Sequence, residues 1–483
     1  MNKYFDIPLV TSRLSKRKAF QSFLISFIFL FFLVPWIIYA PSYERGLIYA
    51  PALFILLGHS LFAVFTIRNI FFIFRYSLIA VLTLGTIVAW QFLDDVFVAP
   101  FGVIYQTHEA TVALVGASLL ALIGSHQGWC LGRLVGNDNL EVSSIHLSKT
   151  VQVSLISLSV FIAYSTVFLY VYKEGGFVSS SKSYGFDRRD IGVQIGILNQ
   201  IILYFTSLLL ILLYRMNKIN VFTIFVLIGP GVIAILSGNR ADFLMQTGIV
   251  LLLCFIIMRR NQSHSLPIFK LVLLAAIMYF LTGFISVWRN IGDVSTSIEV
   301  FLSGAIFIKD RGGIDVLTLA TGNQMLSGFY AVYSKINLLN EQYLFGSSYV
   351  DYLIRLPPGF MGFDRPEDLA LQMTVGDTLM QQGGIYEITE AFWNFGYLGV
   401  YMVPLLISFL ISILLNKCYS ISRYQLFYLS AFFVIGLSSP RAIWYQNFVY
   451  IRLLSLLALI MLFAFIASLV LRTLRKPRAK ECW

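Results

Sequence analysis

Stretches of mostly apolar residues recur along nearly the whole chain, and they limit the folds that it can adopt. A helix needs about 20 such residues to cross the hydrocarbon core of a bilayer. Of 483 residues, 58% are hydrophobic and only 12% are charged, which excludes a water-soluble globule. We therefore predict an all-α polytopic membrane protein in which residues 1–483 form one integral membrane domain. About twelve transmembrane helices are predicted, near residues 19–40, 47–67, 76–93, 111–132, 150–172, 191–214, 219–237, 241–258, 266–288, 394–415, 424–440 and 445–471.

The distribution of charge predicts the orientation of these spans. Arg13, Lys16, Arg17 and Lys18 precede the first span and place the N-terminus in the cytoplasm, and an even number of spans places the C-terminus there too. With Lys270 at the inner end of the ninth span included, the cytoplasmic segments then hold 21 of the 35 Lys and Arg residues but only 4 of the 24 Asp and Glu residues. The net charge of +11 therefore indicates contact with anionic lipid at the inner leaflet, not with nucleic acid.

One long polar interruption, residues 289–393, separates the ninth span from the tenth. The topology makes it an outer, periplasmic loop, and residues 295–308 and 313–338 within it have apolar positions at helical spacing. A second, shorter outer loop covers residues 173–190. Charge is costly inside a bilayer, so chemistry in a membrane protein concentrates where charges gather. The long loop and the span ends around it are the predicted functional region.

A row of small residues in the fourth span predicts close packing between helices. Gly124, Gly128 and Gly132 follow one another at intervals of four, so they share one helix face. Small residues at this spacing let the backbone of a neighbouring helix approach closely.

Motifs of several function classes are absent from the sequence. There is no Walker A loop, so ATP-driven transport by this chain alone is not expected. There is no HExxH motif and the five histidines are scattered, so we predict no metal site and no cofactor. Charged residues are nearly absent from the middle of the spans, which argues against an ion-coupled carrier.

Arginines gather at the predicted outer ends of spans and in the outer loops. Outer segments are normally poor in basic residues, so this placement needs a cause. A guanidinium group forks onto phosphate oxygens with two parallel hydrogen bonds, and several of them would suit the diphosphate head group of a lipid. Alternatively, each arginine pairs with a carboxylate or with a phospholipid phosphate. The candidate substrate-binding residues are Arg240, Arg289, Arg355, Arg365, Arg441 and Arg452, of which Arg452 lies deepest.

Two glutamates stand just before the tenth span. Glu387 and Glu390 precede the segment Trp393-Asn394-Phe395-Gly396. A partly buried carboxylate at this point could take a proton from a sugar hydroxyl as a general base. Carboxylates are also favoured electrostatically at a helix N-terminus, so helix capping is the competing explanation. We take Glu390 as the first candidate for a catalytic base and Glu387 as the second.

Three short patches resemble the oligosaccharide repeat-unit polymerases, a family that includes the O-antigen polymerases and the enterobacterial common antigen polymerase. Residues 237–242 (Ser-Gly-Asn-Arg-Ala-Asp) are similar to the small-residue–Arg turn that those proteins carry after a span. Residues 352–366 look like their outer-loop Pro…Arg-Pro region. Glu390, followed by residues 394–396 (Asn-Phe-Gly), resembles the opening of their late span, and the long outer loop is similar as well.

The resemblance implies a glycosyltransferase at the periplasmic face of the bacterial inner membrane. It would join polyprenyl-diphosphate-linked oligosaccharide repeat units into a surface polysaccharide by single displacement, without a metal or cofactor. The candidate arginines at span ends would hold the donor diphosphate, and the two in the long loop would lie nearer the glycan. Implied partners are the lipid-linked oligosaccharides, membrane lipids, a chain-length regulator and a flippase. The alternatives are an O-antigen ligase-like glycan transferase and a lipid-linked oligosaccharide flippase or transporter.

Overall fold

The computed structural model is all-helical in the part of the chain that it describes, where no β-strand occurs. The described residues are 14–43, 48–92, 108–136, 149–173, 205–211, 213, 220–236, 250, 254, 295–296, 298–299, 323–337, 340–354, 386–418, 425–444, 449–451, 453–455, 457–459, 462 and 466. The helices within these ranges are α1 (Lys16–Tyr39), α2 (Tyr49–Ile67), α3 (Ile70–Phe92), α4 (His108–Val135), α5 (Lys149–Lys173), α6 (Val221–Leu236), α7 (Asn323–Asn337), α8 (Ser347–Ile354), α9 (Glu387–Cys418) and α10 (Gln425–Trp444).

Five of these helices are long and apolar enough to cross a membrane. They are α1 with the 3₁₀ turn Ala40–Ser42 that follows it, α2, α3, α4 and α9. This confirms the predicted all-α chain with helices able to span a bilayer. The count of twelve spans, the cytoplasmic termini and the two outer loops stay predictions.

The link between α2 and α3 shows how local sequence ends one helix and begins the next. Arg68 adopts a left-handed conformation (φ 47°) after α2, and its N–H donates to the carbonyl of Val64. Asn69 then caps α3, because its Oδ1 accepts from the N–H groups of Phe71 (3.1 Å) and Phe72 (3.2 Å). The two helices are therefore joined by a minimal turn and pack side by side.

Helix α4 is the central element of the bundle and is buried along nearly its whole length. It runs antiparallel to α1. The Oγ of Ser22 bonds Nε2 of His126 at 2.8 Å in the middle of the pair, and Arg133 donates to the carbonyl of Leu14 near its end. A bundle centred on α4 therefore has its polar contacts inside and apolar side chains such as Phe31 and Phe54 on its outer surface.

The glycine row of α4 packs directly on the backbone of α9. A Cβ atom added at Gly124, Gly128 or Gly132 would collide with main-chain atoms of α9. The contacted residues on α9 advance by four as the glycines do, so the two helices are parallel and in register. The predicted close packing is thus confirmed, and its partner is a helix more than 250 residues away in sequence. The carbonyl oxygens that face the row belong to Tyr401, Leu405 and Phe409.

Helix α9 is a hairpin of two unequal parts. Phe395 (φ −143°, ψ 17°) and Gly396 (φ 61°, ψ −147°) leave helical geometry, and a Cβ at Gly399 would collide with the carbonyl oxygen of Ala391. In a straight helix, eight residues span about 12 Å. The chain therefore folds back at residues 395–396, where the positive φ requires glycine at the second position. We call residues 387–394 the half-helix and residues 397–418 the long helix.

Candidate functional site

A buried ion pair joins the half-helix to α3. The two nitrogens Nη1 and Nη2 of Arg75 fork onto the carboxylate of Glu387, with Nη1 donating to Oε2 at 2.9 Å. Arg75 is 2% exposed and Glu387 is fully buried. Nη1 also donates to the hydroxyl of Tyr450 at 2.8 Å, and that hydroxyl donates to Ser439 of α10 at 3.0 Å. This chain of contacts ties four segments together at one charged centre.

The N-terminal end of the half-helix, where Glu387 lies, is the end that lies deeper inside the bundle. Its other end packs on α7, where the rings of Phe392 and Phe329 have centroids 5.0 Å apart. The neighbouring Tyr330 bonds Thr111 in the first turn of α4 at 3.1 Å. Glu387 instead meets the second turn of α3, whose first turn packs beside the last third of α4. The carboxylate of Glu387 therefore lies deep among apolar helices, where charge is costly.

Glu390 lies one turn further along the half-helix in a second polar network. The hydroxyl of Ser348 donates to Oε1 of Glu390 at 3.1 Å, and Nδ2 of Asn394 donates to the same hydroxyl at 2.8 Å. Asn394 also accepts at Oδ1 from the N–H of Gly346 at 2.9 Å, and at its carbonyl from Phe345. Glu390, Ser348 and Asn394 are all buried. This network attaches the segment before α8 to the turn of the hairpin.

An aromatic and cationic rim borders the half-helix on α7. The ammonium group of Lys335 lies over the ring of Trp393, 5.9 Å from its centroid, and bonds Glu341 at 3.4 Å. Burial, with a contribution from the carboxylate of Glu109, raises the pKa of Tyr333. Tyr333 therefore presents a protonated hydroxyl at neutral pH.

A third set of hydrogen-bonded polar side chains runs across the bundle from helix to helix. Nδ1 of His59 bonds the hydroxyl of Tyr76 at 2.6 Å, Nε2 of His59 faces Nδ1 of His126 at 3.1 Å, and Nε2 of His126 bonds Ser22 at 2.8 Å. The four residues come from four helices, so this series of hydrogen bonds links α1, α2, α3 and α4. Within the described ranges no three His, Cys, Asp or Glu side chains are placed to hold a metal ion.

Three of the residues predicted from the sequence can be located. Glu387 and Glu390 are both buried on the half-helix, but each makes a different set of contacts. Arg441 is half-buried in the last turn of α10, two residues beyond Ser439. The other candidates lie outside the described residues, and their roles stay predictions. They are Arg240, Arg289, Arg355, Arg365 and Arg452.

Arg75 is the charged residue that the sequence argument missed. The third span was predicted to begin at residue 76, which left Arg75 in an inner loop, whereas α3 begins at Ile70 and buries it. The five apolar residues 70–74 directly before Arg75 are the signal that could have extended the span. The histidines His59 and His126 looked scattered because 67 residues separate them in sequence.

No protein-family model, curated protein or solved structure matches this chain. The case for a function therefore rests on the chemistry of its own residues. Their most informative arrangement is a pair of buried carboxylates on a short helix that folds back inside an apolar bundle.

Proposed function

We propose that this protein is a membrane glycosyltransferase that joins polyprenyl-diphosphate-linked oligosaccharide repeat units into a surface polysaccharide. It acts at the periplasmic face of the bacterial inner membrane. The observation that carries the proposal is the burial of Glu387 and Glu390 on the half-helix, in the segment whose Glu…Asn-Phe-Gly pattern resembles the repeat-unit polymerases. Carboxylates are rarely buried in an apolar membrane bundle without a role, because each costs several kcal/mol to desolvate (about 3 or more).

The reaction is a single displacement at the anomeric carbon of the donor. A hydroxyl oxygen of the acceptor glycan forms the new bond while the bond between the anomeric carbon and the diphosphate oxygen breaks. The polyprenyl diphosphate leaves with the electron pair, and the base takes the proton of the acceptor hydroxyl. The arginines predicted at the span ends would stabilise the charge that develops on the leaving diphosphate.

The contacts of the two glutamates support different roles for them. Arg75 occupies both carboxylate oxygens of Glu387, so this residue suits the positioning of the half-helix. The carboxylate of Glu390 accepts from the hydroxyl of Ser348, a neutral group that can rotate, and no described arginine occupies both of its oxygens. Glu390 is therefore our candidate for the catalytic base, in agreement with the sequence argument.

The test is elongation of lipid-linked repeat units by purified protein in detergent. We expect wild-type protein to make a ladder of longer chains, and Glu390→Gln to lower the rate by about 10²–10⁴-fold. Glu341→Gln, at an exposed carboxylate, is the matched control and should keep full activity. Transfer of finished polymer without a ladder would show a ligase instead. A Glu390→Gln variant with wild-type elongation would remove Glu390 from the mechanism.

A lipid-linked oligosaccharide flippase is the second candidate, and one observation favours it. The predicted spans contain few charges at their centres, but Arg75, Glu387 and the pair His59 and His126 place polar groups inside the bundle. Polar groups along an interior path are what a carrier needs. Translocation of a fluorescent lipid-linked saccharide across proteoliposomes, with no elongation in detergent, would select this function over the polymerase.

A further inference from the structure

Three buried donor groups lie on one side of the half-helix and of the residue just before it, and they have no hydrogen-bond partner among the described residues. They are the hydroxyl of Tyr386, the hydroxyl of Thr389 and Nε1 of Trp393. Each of the three residues is at most 3% exposed. The hydroxyl of Ser118 on α4 faces Tyr386 without reaching hydrogen-bonding geometry. We call these three side chains the donor row.

The spacing of the donor row shows that it is one surface. Positions 386, 389 and 393 are separated by three and four residues, so their side chains stack along one side of the helix. A buried polar group without a partner costs about 1–3 kcal/mol, and nearly all such groups in proteins are satisfied. Three such groups on one short segment, beside an Nε of Arg75 that also has no partner among the described residues, indicate a place for an oxygen-rich ligand.

A lipid-linked glycan has two oxygen-rich parts, the diphosphate and the sugar, and the charges beside the row indicate which of them it binds. The two cations described beside the row are each paired with a carboxylate, Arg75 with Glu387 and Lys335 with Glu341, and the groups of the row itself are neutral donors. The row therefore suits a neutral sugar better than a diphosphate, because a sugar hydroxyl can accept from the row and donate to a carboxylate. Trp393 also offers an aromatic ring of the kind that packs on sugars.

We propose that the donor row binds the sugar nearest the lipid diphosphate, and that the diphosphate itself is held elsewhere. This inference rests on the proposed action on lipid-linked glycans and names which part of the substrate meets this face. The three side chains are closed to solvent, so binding of a sugar requires the side chains that cover them to move aside.

The experiment compares two probes on purified protein by native mass spectrometry in detergent. One probe is polyprenyl diphosphate that carries a single N-acetylhexosamine, and the other is bare polyprenyl diphosphate. We expect wild-type protein to prefer the glycosylated probe by about tenfold or more. Tyr386→Phe, Thr389→Val and Trp393→Phe each remove one donor, and each should weaken the glycosylated probe about 3- to 10-fold while binding of the bare probe is unchanged.

The matched control is Ser408→Ala, which removes another buried hydroxyl without a described partner, but on the long helix. It should leave the affinity for both probes unchanged. A thermal melt without ligand gives a second readout. Tyr386→Phe should keep or raise the unfolding temperature, because it deletes an unsatisfied group, whereas a structural role for the hydroxyl would lower it.

Each other outcome overturns a distinct statement. Equal weakening of both probes would show that the row holds the diphosphate. Unchanged binding of the glycosylated probe in all three variants would remove the row from recognition, and if such variants still elongate repeat units the polymerase proposal survives alone. Wild-type protein that binds neither probe and elongates nothing would overturn both proposals together.

Discussion

The two parts of α9 are held in place by opposite kinds of contact. The long helix lies against the glycines of α4, where the fit depends mainly on close main-chain approach, with hydrogen bonds from Tyr401 to Gln127 and from Asn416 to the carbonyl of Gly132. The half-helix is held by an arginine fork, a serine–asparagine network and a turn that needs glycine. The first interface is sensitive to added volume, and the second is sensitive to the loss of a polar partner.

The packing of small residues holds the helices of the bundle together, whereas the polar contacts place the carboxylates of the half-helix inside it. Packing of small residues stabilises helix pairs in a membrane without any polar group, so the long helix has no need of charge. The half-helix brings two carboxylates into the same bundle and requires compensation for each of them. The half-helix is costly to bury and is nevertheless buried. For this reason we propose that the glycosyl transfer occurs there.

Breaking the ion pair should have the largest effect. Arg75→Met and Glu387→Leu each leave one uncompensated buried charge, so each should lower the free energy of unfolding by about 3–5 kcal/mol. The double variant should lose less than the sum, because neither charge remains. Reversible unfolding in mixed micelles measures all three. The exposed pair of Lys335 and Glu341 is the control, and Glu341→Gln should cost less than about 1 kcal/mol.

Filling the glycine row should have the next largest effect. Gly128→Ala places a methyl group against the main chain of Leu405, which cannot move aside as a side chain would, so we expect a loss of about 2–3 kcal/mol. Gly328→Ala in α7 is the matched control, because a Cβ there meets nothing within 4 Å. If both variants melt at the same temperature, the close contact between α4 and α9 is wrong.

The turn of the hairpin should respond to a smaller degree. Gly396→Ala forces a residue with a Cβ into φ 61° and ψ −147°, which should cost about 1–2 kcal/mol. Asn340→Gly makes the reverse change at another positive φ (53°) and should be neutral or slightly stabilising. Thermal unfolding of the two variants beside wild type measures both. A Gly396→Ala variant with wild-type stability would contradict the folded-back hairpin.

The smallest effect is expected at Ser348. Ser348→Ala removes the hydroxyl between Asn394 and Glu390 and should cost about 1 kcal/mol, since Glu390 keeps other contacts. Ser347→Ala, at the exposed neighbouring position, is the control and should not change stability. Comparison of unfolding midpoints measures this difference, and equal midpoints would show that the network contributes nothing to the position of the half-helix.

Local sequence patterns predicted the helices and their close packing better than they predicted the buried ion pair of Arg75 and Glu387. The apolar runs predicted the helices, and the spacing of Gly124, Gly128 and Gly132 predicted a close partner, because both signals lie within one element. The identity of the helix that packs on this row was not predictable, since no feature of the α4 sequence indicates α9. Arg75 was placed outside its helix because this single charge delayed the predicted start of the span to residue 76, whereas the helix begins at Ile70. Its pairing with Glu387 is a contact across 312 residues, beyond any periodic signal.

The parallel contact of α4 and α9 also has a consequence for biogenesis. The ribosome adds about 5–20 residues per second, so α9 emerges tens of seconds after α4. Of the five helices able to span a membrane, α4 is the least apolar, and its glycine face packs on main chain that is made later. The nascent bundle must therefore persist as a half-finished assembly in the membrane. The order of translation thus means that the last fifth of the chain, which begins with α9, completes the core.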